Sequence, residues 1–152
     1  MYSGPGATNE HAKLIIDSYI RLTGKSLLKE MPAAGEEFAR LFAAPLVVLS
    51  HGTEADPILN FGSGKALALW EMDWDTFTRT PSRLTAEPMQ REDRAKFLET
   101  VAANGYIDGY TGIRISSTGR KFYILETTVW NLEDESGTFR GQAAAFREHR
   151  YL

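Results

Sequence analysis

The last third of the chain contains three long segments of strand character that follow one another with only short turns between them. They cover residues 105–115, 120–131 and 138–146, and they are rich in β-branched and aromatic residues. The turns, residues 116–119 and 133–137, each end in glycine. Such strands joined by short glycine-containing loops form antiparallel meanders. The fold must therefore contain a sheet in which these three strands are consecutive neighbours.

The sequence before the meander predicts helices and two short strands. Apolar residues recur at three- and four-residue steps from Asn9, which can cap a helix, to Leu22, and Gly24 ends that helix. A longer helix closes at Asn104-Gly105 in the manner of a left-handed cap, and its apolar positions are Ala95, Phe97, Leu98, Val101 and Ala102. The predicted helices cover residues 9–22, 35–42, 65–71, 74–78 and 92–104, and the predicted short strands cover residues 46–49 and 57–61.

Composition excludes several classes of function. The chain has 152 residues, a net charge of -3 and no block of basic residues, which disfavours nucleic acid as a partner. It has no cysteine, so disulfides, thiolate nucleophiles and cysteine-ligated metals are excluded. No apolar run approaches the roughly 20 residues that span a bilayer, and residues 1–8 do not resemble a signal peptide. We therefore expect a cytoplasmic domain with neither nucleic acid nor membrane as a partner.

Several short phrases, in a fixed order along the chain, resemble one known family. They are Asn60-Phe61 followed by residues 65–70, residues 81–85 with 91–94, residues 105–110, 113–120 and 128–131, and Gly141-Gln142. Together they look like the MEKHLA domain, a PAS-like family found alone in bacteria and at the C-terminus of plant class III homeodomain–leucine zipper proteins. The likeness covers about residues 9–146, without a homeodomain or zipper. It implies a PAS-like sensory or interaction fold and no particular ligand or reaction.

Strand order and resemblance together predict an α+β fold. Its core is a PAS-like five-stranded antiparallel sheet, with the first two strands beside the last three, short helices on one face and an N-terminal helical extension. We divide the chain into a disordered lead-in (1–8), the N-terminal helical extension (9–43) and the PAS-like MEKHLA domain (44–148). On the last strand, Gly141, Ala143 and Ala145 are predicted to share a face with Phe139, and the N-terminal helix is expected to cover these small residues.

A PAS fold places its pocket between the concave face of the sheet and the short helices. Strand alternation predicts that Tyr106, Asp108, Tyr110, Gly112 and Arg114 share one face of their strand. The alternative is a packed aromatic core in which Arg114 is solvated or paired with a carboxylate. The residues expected to bind a ligand are Asn60, Trp70, Arg83, Tyr106, Tyr110, Arg114, Tyr123 and Trp130.

No cofactor is expected. Flavin photoreceptors of the PAS class need a cysteine that this chain lacks, and a glutamine four residues after the aromatic that begins the last strand. Counted from Phe139 that position is Ala143, which predicts that Gln142 points to the other face. A haem ligand is missing because the helix at residues 92–104 contains no histidine.

No metal or nucleotide site is expected either. Residues 51–56 contain three metal-capable side chains but are predicted to form a polar hairpin loop. Residues 62–65 fail as a phosphate loop, because Leu59 stands where a glycine is needed and Ala66 follows the lysine; Ser63 is predicted to cap a helix instead.

Three functions remain open. The favoured one is a stand-alone sensory or interaction domain, not an enzyme, that binds a small molecule or protein and acts through its N-terminal helix or a homodimer interface. The second is a small α+β pocket enzyme, for which Asp108 and Glu126 are the only carboxylates within strands. The third is a ligand-free dimerisation module, whose pocket would be filled by Trp70, Tyr110 and Trp130.

Overall fold

One antiparallel sheet organises the molecule. The computed structural model describes residues 2–86 and 91–152, without the side chains at positions 91, 92, 94, 95 and 98. The sheet has the order β2-β1-β5-β4-β3, so the first two strands lie beside the last three, as predicted. The strands are β1 (Val47–His51), β2 (Leu59–Gly62), β3 (Tyr106–Ile115), β4 (Lys121–Glu133), β5 (Phe139–Phe146) and β6 (Glu148–Tyr151).

The sixth strand, β6, was not predicted from the sequence. Its four residues are all exposed, so they carry no apolar alternation that would indicate a strand. It forms because β5 pairs with β4 only over the second half of that strand, from Thr128 to Glu133. The free edge of β4 at Phe122–Leu125 then pairs with β6. In the part of the chain that the structure describes, the sheet therefore has six strands instead of the five expected.

The helices lie where the sequence predicted them. They are α1 (Asn9–Thr23), α2 (Glu37–Phe42), α3 (Gly64–Trp70), α4 (Trp74–Phe77) and α5 (Arg91–Asn104), with a 3-10 turn at Ser82–Thr85. Thr8, and not Asn9, caps α1, because its hydroxyl accepts a hydrogen bond from the His11 amide. Ser63 caps α3 as predicted. In the described part of the chain no helix is long and apolar enough to cross a membrane.

Of the apolar positions predicted for α5, Val101 is buried and Ala102 is exposed. Phe97 packs edge-to-face on Tyr110 of β3, with ring centroids 5.1 Å apart. Ala95 and Leu98 lie outside the side chains that the structure describes. Gly105 follows the helix with a φ of 80°, which is the left-handed cap predicted there.

The two faces of the sheet carry separate hydrophobic clusters. On one face α1 packs against β4 and β5, where Ile15 and Ile16 meet Trp130, Ala143 and Ala145. Two of the three small residues that the N-terminal helix was predicted to cover, Ala143 and Ala145, therefore belong to the cluster that contains this helix. On the other face the short helices pack on the sheet through a second cluster: Val47, Leu59, Ala66, Leu69, Trp70, Phe77, Phe122, Ile124 and Phe146.

Residues 2–8 contact the first cluster. The Tyr2 ring lies 4.9 Å from that of Phe42 and 5.1 Å from that of Trp74, measured between centroids. The Trp74 indole donates to the Ser3 carbonyl at 2.9 Å. The division of the chain at residues 8 and 43 stays a prediction. These contacts show that the N-terminal segment packs against the rest of the domain.

Candidate functional site

A cavity of about 510 Å³ lies between the sheet and the short helices. Pockets for small molecules are commonly about 300–1,000 Å³, concave and mostly apolar, with a few polar groups. Side chains of the sheet, including Leu49, Leu59, Ile124, Val129, Ala144 and Phe146, form an apolar floor. Trp70 of α3 and Phe97 of α5 supply aromatic walls. The cavity is on the face opposite α1, since its floor shares residues with the second hydrophobic cluster.

Four of the eight residues predicted to bind a ligand line this cavity: Trp70, Arg83, Tyr110 and Arg114. The other four lie elsewhere. Tyr123 borders a separate groove beside α5 and β3. Asn60, Tyr106 and Trp130 lie on the α1 face, where Trp130 donates to the Ile15 carbonyl at 3.3 Å. Whether any of the eight binds a ligand stays a prediction.

Tyr106 and Tyr110 face opposite sides of the sheet, contrary to strict alternation along β3. The ladder is irregular between Ile107 and Tyr110, where β3 has one residue more than β4. Gly109 accommodates the bulge with a φ of 64°. One extra residue inverts the side of every later residue. The prediction that Tyr106 shares a face with Tyr110 and Arg114 was therefore wrong.

Gln142 lines the cavity, which corrects the count made from Phe139. Leu132 pairs with Gly141 but Glu133 pairs with Phe139, so β5 has an extra residue at Arg140. Phe139 consequently does not share a face with Gly141. The prediction that the two residues share a face was therefore wrong. The Gln142 amide donates to the Asn131 side chain at 3.2 Å. The glycine at 141, with a φ of 133°, was the one sequence indication of this bulge.

Several polar side chains line the cavity. Asp56 and Arg83 form an ion pair at 3.2 Å, and more than half of each side chain is exposed, which places the pair at the mouth. His51 Nδ1 lies 2.9 Å from the Gly52 carbonyl. Because a carbonyl only accepts, Nδ1 is the donor in this contact. His51 and Asp56 were predicted only as part of a polar loop, and their position in the cavity lining was not foreseen.

The wall formed by α3 is tied to the adjoining turns. The Trp70 indole donates to the Thr85 carbonyl at 3.3 Å and so holds the 3-10 turn against the helix. Glu71, at the end of α3 with a φ of 58°, accepts hydrogen bonds from Ser116 at 2.7 Å and from Thr118. Bonds from Thr118 and then Ser116 lower the pKa of the Glu71 carboxyl. The β3–β4 turn is thus connected to the cavity wall.

Replacing Glu71 with glutamine is expected to destabilise the fold most at neutral pH. A carboxyl whose pKa is lowered by folding stabilises the folded state above its unfolded pKa, and this contribution disappears as the pH falls through the folded pKa. The difference between wild type and Glu71→Gln should therefore be larger at pH 7 than at pH 3 in urea unfolding. Glu30→Gln, at an exposed position, is the control. Equal differences at both pH values would contradict this role of the carboxylate.

A polar cluster joins α1 to the opposite face of the sheet. Ser50 donates to the Asn60 side chain, so its oxygen accepts from His11 Nε2, 3.0 Å away. Burial lowers the pKa of His11 to about 4, and Asn60 partly opposes this shift. Asn60, predicted to bind a ligand, is thus placed to hold α1 through Ser50.

The two strand carboxylates considered for catalysis lie outside the cavity. Asp108 accepts from Thr128 at 2.8 Å and from the Gly109 amide at 2.9 Å. Glu126 borders a different groove, beside Tyr19 and Arg147. Among the described residues no three histidine or acidic side chains converge as a metal site would require.

A model of the MEKHLA domain matches residues 9–151. The chain belongs to the MEKHLA domain family. This confirms the resemblance inferred from the sequence phrases and extends it to the end of β6. No curated protein matches the chain.

Solved structures with the same fold are PAS and light-oxygen-voltage domains. The PAS domain of a Colwellia psychrerythraea protein has a TM-score of 0.61 at 13% identity, covering 77% of this chain and 95% of its own. The light-state dimer of the fungal blue-light photoreceptor Vivid has a TM-score of 0.60 at 12% identity, with coverages of 97% and 99%. A light-oxygen-voltage domain studied with a flavin analogue has a TM-score of 0.54 at 13% identity, with coverages of 77% and 81%. At such identities the likeness concerns the fold, which is the PAS-like fold expected.

Proposed function

We propose that this MEKHLA domain is a sensory module, not an enzyme, that binds a small molecule in the cavity and responds through α1. The observation that carries the proposal is the cavity itself, with its apolar floor, its aromatic walls and several polar side chains in its lining. A ligand-free dimerisation module would fill this space with Trp70, Tyr110 and Trp130. Trp70 and Tyr110 stand in the cavity wall instead, and Trp130 packs under α1.

The response is proposed to travel through strands that have the ligand on one face and α1 on the other. On β5, Gln142 and Ala144 line the cavity, and Ala143 between them borders the cavity and also belongs to the hydrophobic cluster that contains α1 residues. On β1, the cavity residue His51 follows Ser50, which is bonded to His11 of α1. A ligand that prefers one arrangement of β1 and β5 would therefore shift the population of α1 positions.

Native mass spectrometry of the protein as purified from cells, with an absorbance scan, tests the proposal. We expect an additional mass that is lost on denaturation. Ala144→Phe, which fills the cavity floor, should reduce its occupancy about tenfold or more, whereas Ala39→Phe on exposed α2 should not. An unliganded wild-type mass, or equal occupancy in the two variants, would contradict ligand binding in this cavity.

Flavin is one candidate for the co-purified ligand, since one structural neighbour was studied with a flavin analogue. With no cysteine in the chain, a cysteinyl–flavin adduct cannot form. Visible absorbance near that of free flavin would identify it directly.

We further propose that the module acts in the cytoplasm, either as a homodimer or through an unidentified protein partner. One structural neighbour is described as a light-state dimer, and the lack of cysteine fits a reducing compartment. The native spectrum also gives the number of subunits. A monomer at every concentration, with and without ligand, would contradict the homodimer and leave a different protein as the partner.

A further inference from the structure

Arg114 is a half-buried cation at the cavity, and none of the described acidic residues pairs with it. Its Nη1 donates to the neighbouring Ile113 carbonyl at 2.9 Å, and its guanidinium carbon lies 5.7 Å from the centre of the Tyr110 ring. No carboxylate of the described residues forms an ion pair with it. A guanidinium has five N–H donors in a planar fork, so most of its donors remain for another group.

Among the described residues, the charged side chains that line the cavity sum to a net positive charge. Asp56 and Arg83 neutralise each other at the mouth. Arg114 then leaves the lining with one positive charge among the described residues. A charge held partly out of water is stabilised best by an opposite charge with bidentate hydrogen bonds, and a carboxylate fits the guanidinium fork.

The space beside Arg114 is bounded by aromatic rings. Trp70, Phe97 and Tyr110 line the cavity. Gly112 allows Tyr110 and Arg114 to meet, because a Cβ there would lie 2.8 Å from the Tyr110 ring and 3.0 Å from Arg114 Nη1. Flat, apolar ligands pack well on such rings, which favour offset-stacked or edge-to-face contacts.

We propose that the cavity binds a planar aromatic monocarboxylate, with its carboxylate on Arg114 and its ring among Trp70, Phe97 and Tyr110. This inference rests on the proposed ligand-binding function and specifies the chemical class of the ligand. The carboxylate supplies the missing negative charge, and the ring covers the apolar floor of the cavity.

The test compares naphthalene-2-carboxylate with its neutral amide, naphthalene-2-carboxamide, by isothermal titration calorimetry at pH 7.5. The two probes share shape and size and differ in charge. We expect the acid to bind about tenfold to a hundredfold more tightly than the amide. Arg114→Gln should abolish this preference, and Arg114→Lys should restore part of it. Circular dichroism checks that each variant is folded.

Arg150→Gln is the matched control. Arg150 lies 5.8 Å from the Tyr123 ring centre, nearly the geometry of Arg114 over Tyr110, but it does not line the cavity. It should keep the preference for the acid. Equal binding of acid and amide, an unchanged preference in Arg114→Gln, or no binding of either probe would overturn the inference. The co-purified mass tests the proposed function separately, and a neutral co-purified ligand would preserve that function while refuting the anionic class.

Discussion

Gly141→Ala is expected to lower the free energy of unfolding by about 3 kcal/mol or more, the sum expected from backbone strain and a steric clash. The φ of Gly141 is 133°, a conformation that side chains other than hydrogen rarely allow. A Cβ there would lie 2.1 Å from the His51 carbonyl oxygen on β1. Relief requires β1 and β5 to separate, which breaks the ladder that ends at the His51–Gln142 pair. Urea unfolding followed by circular dichroism measures the loss.

The control separates the clash from the strain of a positive φ. Gly137 has a φ of 81° in the turn before β5, and a Cβ there would meet no atom within 4 Å. Gly137→Ala should therefore cost only about 1 kcal/mol. If both variants lose the same stability, the close approach of β5 to His51 contributes nothing. Gly141→Ala should also displace Gln142, so a surviving fold should show weaker occupancy of the cavity.

The arrangement of strands could be predicted from the sequence because it depends on local features. Turns that end in glycine separate strands rich in β-branched residues, and antiparallel neighbours in sequence pair in space. Ser63 and Gly24 marked helix ends for the same reason, since capping depends on one residue and its conformation. The strand β6 could not be predicted because it forms only where a free edge of β4 is available.

The face on which each site residue lies could be predicted only in part. Arg114 and Tyr110 follow the bulge at Gly109, and both line the cavity as predicted. Tyr106 precedes the bulge and lies on the other face, although it was predicted to line the cavity too. Trp130 lies in a stretch of β4, Thr127–Trp130, that is buried on both faces. The alternation of apolar and polar residues does not indicate which face Trp130 occupies there, because α1 covers one face and the second hydrophobic cluster lies on the other. Gln142 was predicted to point away from the cavity because the count along β5 started at Phe139. The extra residue at Arg140 shifts that count by one.

Lowering the pH from 7 to 4 is expected to destabilise the fold by as much as about 3 kcal/mol through His11 alone. Burial lowers the pKa of His11 from 6.5 to about 4. Between these values the unfolded chain binds a proton that the folded chain does not, so stability falls as the pH falls through this window. Above pH 6.5 the ring is neutral in both states, and the contribution is constant. Below pH 4 both states are protonated and no further loss arises from this group.

His11→Gln isolates this effect, because glutamine retains a donor for Ser50 but does not titrate. Wild type should lose stability more steeply than the variant between pH 6.5 and pH 4 in urea unfolding. His149→Gln, at an exposed position on β6, should follow wild type. Carboxylates titrate alike in all three proteins and cancel in the comparison. Parallel profiles for wild type and His11→Gln would mean that folding does not suppress protonation of His11.

The same protonation provides a direct test of the link between α1 and the sheet. Burial disfavours the charged form of His11, so protonation makes release of the N-terminal part of α1 favourable. Trp130 donates to the Ile15 carbonyl of that helix, and its fluorescence should report the release before global unfolding. We expect a shift to longer emission wavelength with a midpoint near pH 4 that is absent in His11→Gln. A shift that coincides with loss of all secondary structure would instead mean that α1 and the sheet unfold as one unit.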